Sequence, residues 1–123
     1  MNTLLFVYGT LKRGCSNHHQ MAGQQFVGLG RTPPGYRLYD IGGYPTIVLR
    51  ADDTAGVVGE IWSVSDDALK RLDEFEGVHE GLYRREILPL QPPYADKNVH
   101  AYVSVLPVTG QPDIGSEWVE PVR

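Results

Sequence analysis

Residues 56–77 read GVVGEIWSVSDDALKRLDEFEG. The first nine are rich in β-branched and aromatic side chains and predict a strand. The rest predicts a helix. Ser65 is a suitable N-cap, and Asp66 and Asp67 fall in the first turn, where the helix dipole favours negative charge. Gly77 is a natural stop. A strand running directly into a capped helix is the join around which the rest of the chain is arranged.

Outward from this join, the other segments read mostly as strands. Residues 4–8, LLFVY, form a continuous apolar run, as expected of a strand buried on both faces. QQFVGLGRT (24–32), YRLYDI (36–41), YPTIVLR (44–50), YRREILPL (83–90) and NVHAYVSVL (98–106) follow, separated by Gly and Pro punctuation. The last alternates, with Val99, Ala101, Val103 and Val105 on one face. Asn17 is placed as the N-cap of a short helical turn, and the tail from Pro107 reads as irregular. Gly28, Gly30 and Gly59 lie inside strands and predict bulges or tight bends, which would let a small sheet curl. Five to seven strands with one solid helix give the α+β class, read as a small mixed β-barrel with one main flanking helix.

Residues 1–123 read as one domain, long enough to bury a core without disulfides. A net charge of −4 and scattered Lys and Arg argue against a nucleic-acid surface. Cys15 is the single cysteine, which excludes an internal disulfide and fits a reducing compartment. The chain opens without the apolar length of a signal peptide, and no run approaches a membrane span. The expectation is a cytoplasmic protein with neither nucleic acid nor membrane as partner. No metal site is expected: His18 and His19 are adjacent and share no helix face, while His79 and His100 are remote.

One carboxylate breaks the helical pattern. At about 100° per residue, Ala68, Leu69, Leu72 and Phe75 form one apolar stripe, and Lys70, Arg71, Glu74 and Asp67 form the solvated face. Glu76 falls inside the stripe. Burial and the negative end of the helix dipole would both disfavour its charged form and raise its pKa, which marks a candidate functional group. The plainer reading is a glutamate that swings out to water or pairs with Arg84 or Arg85; the wheel leaves both open.

Other candidates stand beside it. The loop YGTLKRG (8–14) could cup an anion with backbone N–H groups, or be a plain turn; it lacks Walker-type spacing. Cys15 has Lys12 and Arg13 nearby but no histidine to activate it, and reads as inert. Glu60 is a second carboxylate on an apolar face. It reads as a structural group bonded to a tyrosine or arginine, and as the backup catalytic carboxylate. Tyr83 and Tyr102 could bring hydroxyls to a site.

FVYGTLKRG, then LDEFEG followed by LYRR, resemble the γ-glutamylcyclotransferase family, and most closely its γ-glutamylamine cyclotransferase and AIG2-like branch. GEIWSV and HAYVSVL fit the same pattern, so the resemblance runs from about Leu4 to Leu106. It implies a small β-barrel with flanking helices and an enzyme that releases 5-oxoproline from a γ-glutamyl amine or amino acid, with no metal or organic cofactor. It also implies that Tyr8, Gly9, Thr10 and Leu11 hold the glutamyl group, that Glu76 is the catalytic acid/base, and that Tyr83 lines the pocket. Tyr102 joins them from the late strand. Ser104 departs from relatives that carry an aromatic residue at that place. The alternative from another class is a small-molecule binding or regulatory module that keeps the pocket for 5-oxoproline or a carboxylate and turns nothing over. A weaker third option is an interaction protein with a vestigial pocket.

Overall fold

The computed structural model describes residues 2–120. Its strands are β1 (Thr3–Val7), β2 (Gln25–Arg31), β3 (Tyr36–Asp40), β4 (Pro45–Leu49), β5 (Val58–Val64), β6 (Tyr83–Ile87), β7 (Val99–Ser104) and β8 (Asp113–Gly115). The one α-helix, α1, spans Asp66–Phe75 between β5 and β6. The fold is α+β.

β1 lies at the centre of a five-stranded sheet of order β2-β5-β1-β7-β6. It pairs antiparallel with β5, Phe6 opposite Ile61, and parallel with β7, Leu5 opposite His100. Both edges of β1 are thus paired and each face is covered by a separate core, which explains its unbroken apolar sequence. Leu5 and Val7 pack with Met21, Trp62, Val64, Ala68 and Leu72 beneath α1. Phe6 and Tyr8 pack on the opposite face with Leu38, Ile47, Ile61 and Ala101. The latter core separates the main sheet from a smaller one of order β4-β3-β8.

The expected barrel is replaced by these two sheets. Among the described residues, no strand ladder joins them into a ring. They are bridged instead by single bonds: the Tyr8 hydroxyl donates to the Tyr102 carbonyl of β7 and accepts from the Ile47 N–H of β4, and the Ser104 N–H donates to Thr46 Oγ1 at 3.0 Å.

There are eight strands among the described residues rather than five to seven. The extra one, β8, falls in the tail read as irregular; its three residues are too short to show alternation and are held by pairing with β3. Gly28 does sit at a register shift in β2. Gly59 and Gly30 instead pair with one another, and both mark close packing. A Cβ on Gly59 would lie 2.6 Å from the Val7 carbonyl oxygen, and one on Gly30 would lie 2.9 Å from Ile61 Cδ1.

Candidate active site

Two chain segments converge at one cavity: the loop leaving β1 and the end of α1. The loop is folded by its own carbonyls. Gly9 C=O accepts from the Lys12 N–H, Thr10 C=O from the Asn17 N–H, and Leu11 C=O from His18 Nδ1. Asn17 Nδ2 also donates to Thr10 Oγ1 at 3.0 Å, so Asn17 braces the loop with its side chain instead of capping the 3₁₀ turn that follows. The N–H groups of Gly9, Thr10 and Leu11, by contrast, donate to no described residue. A run of committed carbonyls and uncommitted N–H groups makes a concavity suited to an anion.

The helix end is set by Ser65 at one terminus and Gly77 at the other. Ser65 Oγ accepts from the Ala68 N–H at 3.2 Å. Gly77 adopts φ +69°, a left-handed conformation that glycine supplies without a Cβ clash. A Cβ there would lie 2.7 Å from Leu82 Cδ1. The chain therefore stops turning at Glu76, whose N–H still bonds the Leu72 carbonyl at 2.9 Å.

Loop and helix end enclose a cavity of about 270 Å³. Tyr8, Gly9, Thr10, Leu11, Glu76, Tyr83 and Tyr102 all line it, whereas Glu60, the backup carboxylate, does not. Glu76 is half-buried. Its carboxyl forms no hydrogen bond or ion pair with any described residue, and burial pushes its pKa up to about 7. The two arginines considered as partners are engaged elsewhere: Arg84 with Glu86 at 2.7 Å, and Arg85 with Asp73 at 2.9 Å.

The tyrosine hydroxyls are engaged by the protein itself. Tyr8 donates to the Tyr102 carbonyl, Tyr83 to the Pro45 carbonyl at 3.4 Å, and Tyr102 to Asp73 Oδ1 at 2.6 Å. Burial raises the pKa of all three, so each remains a neutral donor. Burial also pushes Asp73 up, but its bonds from Arg85 and Tyr102 outweigh that and hold its pKa below the usual carboxylate value.

Lys12 and Arg13 do not line this cavity. Lys12 Nζ donates to the Trp118 carbonyl at 2.6 Å, and Arg13 Nε bonds Glu60 Oε2 at 3.1 Å. Glu60 also accepts from the Arg13 N–H and Trp62 Nε1, which makes it a bonded structural group remote from the cavity. Cys15 is half-buried, and burial pushes its thiol up. Among the described residues, no cluster of three His, Cys, Asp or Glu could hold a metal ion. No helix among them is long and apolar enough to cross a membrane.

Several lining residues were not selected from the sequence: Asn17, Ile41, Tyr44, Pro45, Phe75 and Leu82 among them. Phe75, which the helical pattern places on the apolar stripe, is 42% exposed and lines the cavity. For the others, no local pattern distinguishes a cavity wall from a turn.

The family model described as gamma-glutamyl cyclotransferase, AIG2-like, matches residues 5–120. The chain belongs to this family. A Vibrio cholerae protein named "Putative gamma-glutamylcyclotransferase" is 37% identical over 102 residues, covering 83% of this chain and 84% of its own. A human protein named gamma-glutamylaminecyclotransferase is 36% identical over 95 residues, covering 72% of this chain and 61% of its own. The crystal structure of a mouse AIG2-like protein superposes with a TM-score of 0.77 at 29% identity, over 91% of this chain and 85% of that one. In this member of the γ-glutamyl cyclotransferase family, both cavity-forming segments lie within the matched residues.

Proposed function

We propose that the protein is a γ-glutamylcyclotransferase that releases 5-oxoproline and a free amine from a γ-glutamyl amide. The observation that carries this reading is the pairing, across one small cavity, of an unpartnered half-buried carboxyl at Glu76 with three uncommitted N–H groups at residues 9–11. The activity in the names of its relatives supports it.

In this reading the N–H groups of Gly9, Thr10 and Leu11 hold the α-carboxylate or γ-carbonyl oxygen of the glutamyl group. The walls formed by Tyr8, Tyr83 and Tyr102 confine it, so that its α-amino nitrogen meets its own γ-carbonyl carbon. Ring closure is intramolecular, and most of the orientational entropy has already been removed by the tether and the bound geometry. Glu76 takes a proton from the α-ammonium. The amino nitrogen attacks, the five-membered lactam forms, and the C–N bond to the leaving amine breaks. The same carboxyl returns the proton to that nitrogen and then relays a second one from the ring nitrogen, so the lactam keeps a single N–H and the amine leaves as an ammonium. Electrons and atoms balance with no co-reactant. A pKa near 7 suits both halves of the shuttle.

The test is Glu76→Gln, assayed for 5-oxoproline from γ-glutamyl amides. A loss of about 10² to 10⁴ in kcat is expected. A variant that keeps near-parental turnover sinks the assignment. Tight binding of 5-oxoproline by the parent, with no product from any amide, would favour the non-catalytic module.

A further inference from the structure

Four of the large apolar side chains left exposed on the protein share one location. Tyr44 (45% exposed), Phe75 (42%), Leu82 (47%) and Leu106 (56%) all line the cavity already described, and half-buried Ile41 joins them. Large side chains exposed together at the mouth of a site mark a surface that a ligand covers.

The charge inventory of the same cavity narrows what that ligand carries. Among the lining residues, Glu76 alone has a side chain charged at neutral pH. The nearby cations are bound elsewhere: Lys12 to Trp118, Arg13 to Glu60, Arg84 to Glu86 and Arg85 to Asp73. The hydroxyls of Tyr8, Tyr83 and Tyr102 already have protein acceptors. Beyond the loop N–H groups, the lining adds only neutral polar groups, on Thr10, Asn17, Tyr44 and Ser104, and the rest of the wall is hydrocarbon and ring faces.

Resting on the proposed reaction, we infer that the leaving amine carries an uncharged, apolar or aromatic substituent, which packs on Ile41, Tyr44, Phe75, Leu82 and Leu106. The two charged classes are disfavoured for separate reasons. A carboxylate on the leaving amine would be desolvated against an apolar rim, with no cation to meet it and a like charge beneath. An ammonium would find Glu76 as its only anion. It would compete there with the α-ammonium, which the proposed reaction needs beside the same carboxyl. An apolar substituent keeps water and countercharge away from Glu76 and fills the exposed rim.

Four amides of γ-glutamate test this on the full chain: those of 2-phenylethylamine, 1,4-diaminobutane, glycine and methylamine, each scored for 5-oxoproline. The phenylethyl amide is expected to exceed the diaminobutane and glycine amides in kcat/KM by at least about tenfold, the scale on which an apolar pocket discriminates. A Leu106→Lys variant places a cation on the rim at an exposed position. It should shrink the ratio of phenylethyl to glycine amide severalfold, with the methyl amide as common reference. Equal or better turnover of either charged amide by the parent overturns the inference while leaving the proposed reaction intact. An unchanged ratio in Leu106→Lys removes that rim contact from it. Failure of all four amides to yield 5-oxoproline removes the reaction itself, and the inference with it.

Discussion

The Tyr102 hydroxyl donates to Asp73 Oδ1 at 2.6 Å, tying the last turn of α1 to β7. Arg85 of β6 grips both Asp73 oxygens and also contacts His100 Nδ1 at 3.0 Å. The helix end that presents Glu76 is thus anchored to two strands through one carboxylate. Tyr102→Phe removes a bond to a charged acceptor and should lower the unfolding free energy by about 2 kcal/mol. Urea denaturation measures this. A variant as stable as the parent would show that the bond does not anchor the helix.

Glu76→Gln should separate activity from stability. The native state raises the Glu76 pKa from 4.5 to about 7, so it holds that proton more tightly than the unfolded chain does. The resulting stabilisation is complete below about pH 4.5 and is lost as pH rises through about 7. It amounts to up to about 3 kcal/mol. Glutamine carries no such charge to bury. The variant should therefore be more stable than the parent at pH 8 and nearly equal to it at pH 4.5, while making little product. Thermal melts at the two pH values decide the matter; a destabilised variant at pH 8 would mean the carboxylate has a stabilising partner.

The same titration should shape the rate. In the proposed reaction Glu76 must be ionised to accept the ammonium proton, so kcat/KM should rise about tenfold per pH unit below pH 7 and level off above it. A profile already flat from pH 5 upward would contradict a base of raised pKa.

Gly9 is expected to tolerate no side chain. A Cβ there would lie 2.6 Å from Pro45 Cγ and 2.9 Å from Pro45 Cδ, and Pro45 is itself a wall of the cavity. Gly9→Ala should cost about 1–3 kcal/mol through overpacking and lower kcat/KM by more than its effect on stability alone explains. Calorimetry and initial rates on the same preparation would test both halves.

Lys12 supplies the contrasting case. Its ammonium is bonded to the Trp118 carbonyl, so Lys12→Ala should leave KM within about threefold of the parent while costing about 1.5–3 kcal/mol of stability through the lost charged hydrogen bond. A KM raised a hundredfold would place the cation on the substrate after all.

Much of the site was legible because two of its parts obey local rules. LLFVY announces a strand covered on both faces, and Gly9 announces the turn that follows. Ser65 and Gly77 delimit α1 within a residue, which is what puts Glu76 on the wrong side of the helix to be a plain surface charge. What escaped depends on distant pairing. The hydroxyls of Tyr8, Tyr83 and Tyr102 look free in sequence, yet their acceptors lie 94, 38 and 29 residues away. Tyr44 and Pro45 enter the wall because β4 is held across from β7 by a side-chain bond, Thr46 to Ser104. Two short sheets rather than one ring follow from the same cause: strand strength can be read along the chain, but which edges meet cannot.

The loop after β1 carries one more implication. In the proposed reading a guest is gripped by peptide dipoles while the neighbouring lysine and arginine are bonded elsewhere, so dissolved ions have no cation-to-guest attraction to screen. Capture should then proceed almost as well in concentrated brine as in dilute buffer.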